Sequence, residues 1–179
     1  MRTFMIVLLS IAGSAQAACD PWPNGTDTGF HWWQCNDGPI TFFNAETYDE
    51  TGTKPEYPIH LSKPLTVKCD IANPTRVYGS PYLRLSISLW SWGTPRGACA
   101  WSPVPTLGLL SNLDACQHGI KCPVGLGRQT MDVVVDFTKF KAIVRLLKDD
   151  APYQMQYELH DGMSGDKSCF MGQARARTQ

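Results

Sequence analysis

Four stretches of the chain alternate apolar and polar residues with a period of two, the spacing that turns one face of a β-strand toward a core and the other toward water. Leu65, Val67, Cys69 and Ile71 alternate with Thr66, Lys68 and Asp70, and Leu83, Leu85, Ile87 and Leu89 with Arg84, Ser86 and Ser88. Met131, Val133, Val135 and Phe137 stand against Asp132 and Asp136, and Tyr153, Met155, Tyr157 and Leu159 against Gln154, Gln156, Glu158 and His160. Each predicts a strand with one wet face. Residues 40–44 and 168–173 read as a first and a last strand and 98–104 as another, with prolines and glycines breaking the chain between them. Roughly seven antiparallel strands, each apolar on one side, are satisfied by two sheets packed face to face, so the expected class is all-β, an immunoglobulin-like two-sheet antiparallel sandwich. Phe140, Ile143, Val144 and Leu147 recur instead at helical spacing before Pro152, which predicts one short helical turn.

The N-terminus carries a different signal. Arg2 supplies positive charge, residues 4–11 are an apolar run, and Ala15-Gln16-Ala17 is a small-x-small cleavage site, the pattern of a secretory signal peptide over 1–17. The expected mature chain is one domain over 18–179, bound for the outside of the cell or the lysosomal lumen. No other stretch approaches the ~20 apolar residues of a membrane span. In an oxidising compartment Cys19, Cys35, Cys69, Cys99, Cys116, Cys122 and Cys169 are disulfide candidates before they are metal ligands, and seven is odd, so at least one stays unpaired within the chain. Asn24-Gly25-Thr26 is a glycosylation acceptor, whereas the proline of Asn73-Pro74-Thr75 blocks that one. The chain balances 16 Lys and Arg against 16 Asp and Glu, which argues against nucleic acid as a partner, because phosphate neutralisation needs a clustered basic excess. Six Trp, seven Phe and six Tyr at only 18% charged residues exclude intrinsic disorder.

Catalytic motifs are missing. There is no Gly-x-Ser-x-Gly, His-Glu-x-x-His or Cys-x-x-Cys, and His31, His60, His118 and His160 are scattered without metal-ligand spacing, so neither a metal nor a cofactor is expected. A triad assembled in space is not visible in a sequence, which keeps a secreted hydrolase as an alternative. Glu46, Asp49 and Glu50 read as a solvated turn, and Arg175 and Arg177 as a short, frayed basic tail. Trp90 and Trp92 break the polar face of their strand, as interfacial anchors or as a cover for the sheet edge. Residues 101–110, Trp101-Ser102-Pro103-Val104-Pro105-Thr106-Leu107-Gly108-Leu109-Leu110, are unusually apolar for a loop and read either as a cavity entrance or as a lid folded over one end of the sandwich.

Three motifs carry a resemblance. The segment Phe30-His31-Trp32-Trp33-Gln34-Cys35-Asn36-Asp37-Gly38 has an aromatic-Cys-acidic-Gly pattern. Asp114-Ala115-Cys116-Gln117-His118-Gly119-Ile120-Lys121-Cys122-Pro123 contains a Cys-x5-Cys-Pro loop, and residues 153–169 form a strand, a polar turn and a strand bearing one cysteine. In this order they resemble the ML (lipid-recognition) domain family, whose members include a ganglioside activator and a sterol carrier. The resemblance covers most of residues 30–174. It implies a sandwich whose sheets are splayed so that the inward faces line a lipid cavity. It also implies no catalysis, and disulfides from Cys35 to Cys169 and from Cys116 to Cys122. A bridge from Cys69 to Cys99 is a further expectation that the family does not supply, and the second short-spaced cysteine pair of the sterol carrier is missing between Cys35 and Cys69.

On that resemblance the candidate lipid-binding residues are Leu83, Leu85, Ile87, Leu89, Val104, Leu107, Leu109, Val133, Val135, Phe137, Met155, Tyr157 and Leu159. Alternation by itself equally describes plain core packing. His118, Lys121 and Arg128 are candidate polar groups at the mouth. The expected function is a secreted lipid-binding or lipid-transfer protein for a sterol, fatty acid or glycolipid, with transient membrane contact through Trp101, Val104, Leu107, Leu109 and Leu110. A module that presents lipid to a receptor or hydrolase partner is the alternative within the same fold.

Overall fold

The computed structural model describes residues 19–95 and 98–179. The expected signal peptide lies outside the described residues. Among the described residues ten strands build two sheets: β1 (His31–Gln34), β2 (Thr41–Tyr48), β3 (Ile59–His60), β4 (Leu65–Asn73), β5 (Leu83–Gly93), β6 (Ala100–Pro103), β7 (Leu113–Asp114), β8 (Gly127–Val135), β9 (Ala151–Asp161) and β10 (Lys167–Arg177). The larger sheet has the order β1-β10-β9-β5-β6, with β3 beside β10 and β7 beside β5, and the smaller is β2-β4-β8. All pairings are antiparallel except the two-residue contact of β3 with β10. This is the immunoglobulin-like sandwich that the alternation predicts.

The inward residues do what their spacing requires. Leu83, Leu85, Ile87 and Leu89 of β5 and Tyr153, Tyr157 and Leu159 of β9 are buried, facing Leu65, Val67, Cys69 and Ile71 of β4 and Met131, Val133 and Val135 of β8. Burying a side chain of this size contributes about 1.5–3 kcal/mol, and these faces form one core. Strand β2 runs four residues beyond its predicted end because a bulge at Phe43 shifts the register between Phe42 and Asn44. The extra residue turns both Phe42 and Ala45 inward and leaves Phe43 outside under the Arg128 guanidinium, which breaks the alternation on which the prediction relied. Phe137, expected as the last residue of its strand, lies instead in a 3-10 turn (Phe137–Phe140) that leads into α1 (Lys141–Val144). The Asp136 carboxylate caps that turn, accepting from the Thr138 N–H at 3.0 Å and its hydroxyl at 2.6 Å.

Arg175 and Arg177 are not a frayed tail. Both lie in β10, where Arg175 pairs with Pro152, and its guanidinium donates two bonds of 2.6 Å to the Asp150 carboxylate and covers the Trp22 ring.

The structure joins Cys35 to Cys169, Cys116 to Cys122, and Cys19 to Cys99. The expected Cys69–Cys99 bridge is therefore wrong. Cys69 is a free thiol, 3% exposed, on the inward face of the middle strand of the smaller sheet, while Cys99 enters β6 at the edge of the larger one. Burial, with the Asp132 carboxylate adding to it, pushes the Cys69 thiol up to about 12.

Candidate functional site

The space between the sheets is not filled evenly. A cavity of about 60 Å³ is walled by β2, β4 and β8 on one side and by β5, β9 and β10 on the other, with Leu61 and Leu147 closing it. Its lining is almost wholly apolar. Thr47 donates its hydroxyl to the Glu56 carbonyl at 2.7 Å, and the Tyr153 hydroxyl is exchanged with the backbone of Lys148, so neither polar group is available inside. Small side chains make the room: Gly172, Ala174 and Ala176 alternate along the inward face of β10. A Cβ on Gly172 would stand 2.9 Å from the Phe30 ring, so glycine is what allows that ring to pack across the strand.

Two further voids adjoin the first. One of about 20 Å³ lies among Phe42, Val67, Cys69, Met131, Val133, Met155, Tyr157 and Phe170. The other, of about 90 Å³, reaches the surface. It runs between the Cys116–Cys122 loop, through Gln117, His118 and Gly119, and the turn that carries Phe137, Lys139 and Phe140, with Leu85, Ile87, Leu110, Leu113 and Tyr157 behind. Val135 lines all three. Gly119 makes the close approach possible: its φ is +112°, it accepts from the Val134 N–H at 2.8 Å, and a Cβ there would meet the Val134 carbonyl at 2.0 Å.

Electrostatically the outer void is mixed. Burial alone pushes the Asp136 carboxyl up, and the Thr138 hydrogen bonds with the Lys139 ammonium outweigh it, leaving the group below its ordinary value and charged. His118 lines the void, its Nδ1 2.9 Å from the Asp114 carbonyl oxygen. Lys121 and Arg128 do not line it; Lys121 is exposed, and Arg128 forms a two-bond pair with Asp70 on the outer face of the smaller sheet. Among the described residues no group of three His, Cys, Asp or Glu side chains is placed to hold a metal.

The candidate residues fall into groups. Leu85, Ile87, Val135, Phe137 and Tyr157 meet at the outer void, Leu89, Val135, Phe137 and Met155 at the inner one, and Val133 at the smallest. Leu83 and Leu159 lie apart, at a gap of about 10 Å³ near Tyr78 and Asp166. Val104 packs half-buried against the core, while Leu107 and Leu109 stand 87% and 45% exposed. Leu110, next in the chain, is fully buried, its carbonyl accepting from the Ile87 N–H at 2.8 Å. The apolar loop therefore has one end packed into the wall and an outward tip, where Leu107 and Gly108 adopt positive φ. Trp92 covers rather than anchors: its indole reaches Asp20, and its ring lies 5.2 Å from that of Trp101. Alternation could not find Leu110, Leu113, Ile59 or Leu61, which enter the lining from edges and connections.

Ligand pockets typically enclose about 300–1,000 Å³, so each void is too small for a sterol or an acyl lipid in this closed arrangement. Most of the inward positions pack here as ordinary core.

No family model matches the chain, and no curated protein matches it in sequence. Among solved structures it is similar to a Niemann-Pick type C2 protein from the Japanese carpenter ant, with 13% identity and a TM-score of 0.45 over 82% of this chain and 99% of that one. At that identity and score the likeness assigns no function.

Proposed function

We propose that the protein is a secreted lipid carrier of the ML kind. It holds a sterol, a fatty acyl lipid or a glycolipid between its sheets and has no chemistry of its own. The observation that supports this most is the row of voids meeting at Val135, apolar at its inner end and reaching the surface beside the Cys-x5-Cys-Pro loop. The covalent frame supports it too. Cys35–Cys169 and Cys19–Cys99 join parts of the chain at the larger sheet, and Cys116–Cys122 closes a loop, so none of the three staples one sheet to the other. Antibody-type sandwiches place a disulfide across the core, which fixes the sheet separation. Here the sheets are free to part, and each ligand CH2 taken from water would contribute about 0.8 kcal/mol toward holding them apart.

Loading would occur at a bilayer, with Leu107 and Leu109 entering the interface beside Leu110 and Leu113 in the wall of the outer void. With 16 positive and 16 negative side chains, docking would rest on apolar contact more than on attraction to anionic headgroups. The signal peptide over 1–17, glycosylation at the exposed Asn24 and an extracellular or lysosomal destination belong to the same reading. Native mass spectrometry of the secreted protein, with extraction of whatever co-purifies, tests it. A non-covalently held lipid is expected. A bare chain that stays bare after incubation with vesicles containing cholesterol, phospholipid and ganglioside would contradict the reading.

A further inference from the structure

Among the described residues, one buried side-chain polar atom has no hydrogen-bond partner, the hydroxyl of Tyr157. The residue is 6% exposed and lies in β9, its backbone paired with Ile87 on one side and Phe170 on the other. It lines both the innermost void and the one that reaches the surface, so it stands where the two adjoin. Around it are Phe42, Val67, Met131, Val133 and Phe170, and the free Cys69 thiol shares the void without making a hydrogen bond to the hydroxyl. Phenylalanine would fill the same place without leaving a polar group unpaired, a state that native interiors avoid. The other buried tyrosines are satisfied, Tyr153 by the Lys148 backbone and Tyr78 by Asp166 and Thr75.

We propose that the Tyr157 hydroxyl is the recognition group for a ligand oxygen, pairing with one neutral hydroxyl or carbonyl on an otherwise hydrocarbon lipid. The inference rests on the lipid-carrier reading and adds to it the chemistry of the ligand. A charged end is excluded from that position, because no cation lines the innermost void and a carboxylate there would lose its hydration without compensation. Burial also pushes the phenol up, so the hydroxyl stays neutral and is able either to donate or to accept. Charged headgroups would remain at the outer void beside His118 and Lys139.

The test compares the wild type with Y157F, using diphenylhexatriene, a hydrocarbon whose fluorescence rises in an apolar site, and displacing it with dodecane, 1-dodecanol or dodecanoate. The wild type should bind the fluorophore saturably and prefer 1-dodecanol to dodecane. Y157F should still bind the fluorophore saturably, lose about tenfold in its affinity for 1-dodecanol relative to dodecane, and melt no lower than the wild type, since it removes an unpaired group. Y153F serves as control: it should melt lower yet keep the preference for the alcohol. A preference that survives in Y157F, equal preference for dodecanoate, or unfolding of Y157F would overturn the assignment while leaving the carrier reading standing. A wild type that binds no fluorophore would overturn both.

Discussion

Trp92 donates its indole N–H to the backbone carbonyl of Asp20 at 2.7 Å, one residue beyond the disulfide from Cys19 to Cys99. The segment before β1 is thus held against β5 and β6 twice, once covalently and once through a tryptophan whose ring also packs on Trp101. This explains why Trp92 sits on the otherwise polar face of β5.

Replacing Cys19 and Cys99 together with serine should destabilise the protein by about 2–4 kcal/mol, because the bridge closes a separation of 80 residues in the unfolded chain. Calorimetry should show a lower Tm with ligand binding unchanged. A loss of binding would make the N-terminal segment part of the site.

Cys69 should be silent to thiol reagents in the native protein. Its thiolate is disfavoured by burial and the residue is 3% exposed, so reaction waits on unfolding or on separation of the sheets. Titration with a chromogenic disulfide should find no reactive thiol before denaturant and one after it. One thiol reacting fast in the native state would mean that the sheets open spontaneously.

Leu107→Asp with Leu109→Asp should slow transfer of a fluorescent lipid between vesicles about tenfold, with little change in equilibrium affinity or Tm, because both side chains point outward. Leu110→Asp is a different experiment. That side chain is fully buried, and a carboxylate there should cost folding itself. Unchanged transfer by the double variant would place the entrance elsewhere.

Acid should destabilise the fold only at low pH. Hydrogen bonds hold several carboxyls below their ordinary values: Arg128 on Asp70, Ser80 on Asp114, the Thr178 N–H on Asp149, Arg175 on Asp150, and Tyr78 on Asp166. A group whose folded value is depressed stabilises the native state above its unfolded value and loses that contribution as pH falls through the folded one. Tm should therefore be nearly flat from about pH 7 to about pH 5 and fall below about pH 4. D150N should lower Tm at neutral pH and lessen the further loss in acid. A steady fall between pH 7 and pH 5 would point to histidines instead.

The strands were legible wherever one face is wet, as in β5 and β9, because period-two alternation is the direct consequence of having a core on one side. It failed at Phe43, where a bulge inserts a residue, and at the C-terminus, where the paired backbone of β10 decides what two arginines do. Leu109 and Leu110 are the same residue type side by side, and only the bond from Ile87 to Leu110 fixes which one is buried. The odd cysteine count required an unpaired thiol without naming it. The inward placement of Cys69 among apolar neighbours is the signal that could have done so, since Cys99 lies at an edge of the other sheet. Void size depends on the separation of the sheets, which no residue identity states.

Val135 is the position where all three voids meet, and Val135→Trp is the most direct test of whether the space between the sheets binds lipid. The measurement is saturable binding of a fluorescent sterol and a fluorescent fatty acid by the wild type and the variant, with Tm recorded for each. A lipid cavity between the sheets predicts saturable, displaceable binding by the wild type, at least tenfold weaker binding by the variant, and a loss of stability at the low end of the roughly 1–3 kcal/mol that overpacking a full core costs. No saturable binding by the wild type, together with a large stability loss in the variant, would show an ordinary closed core and contradict it.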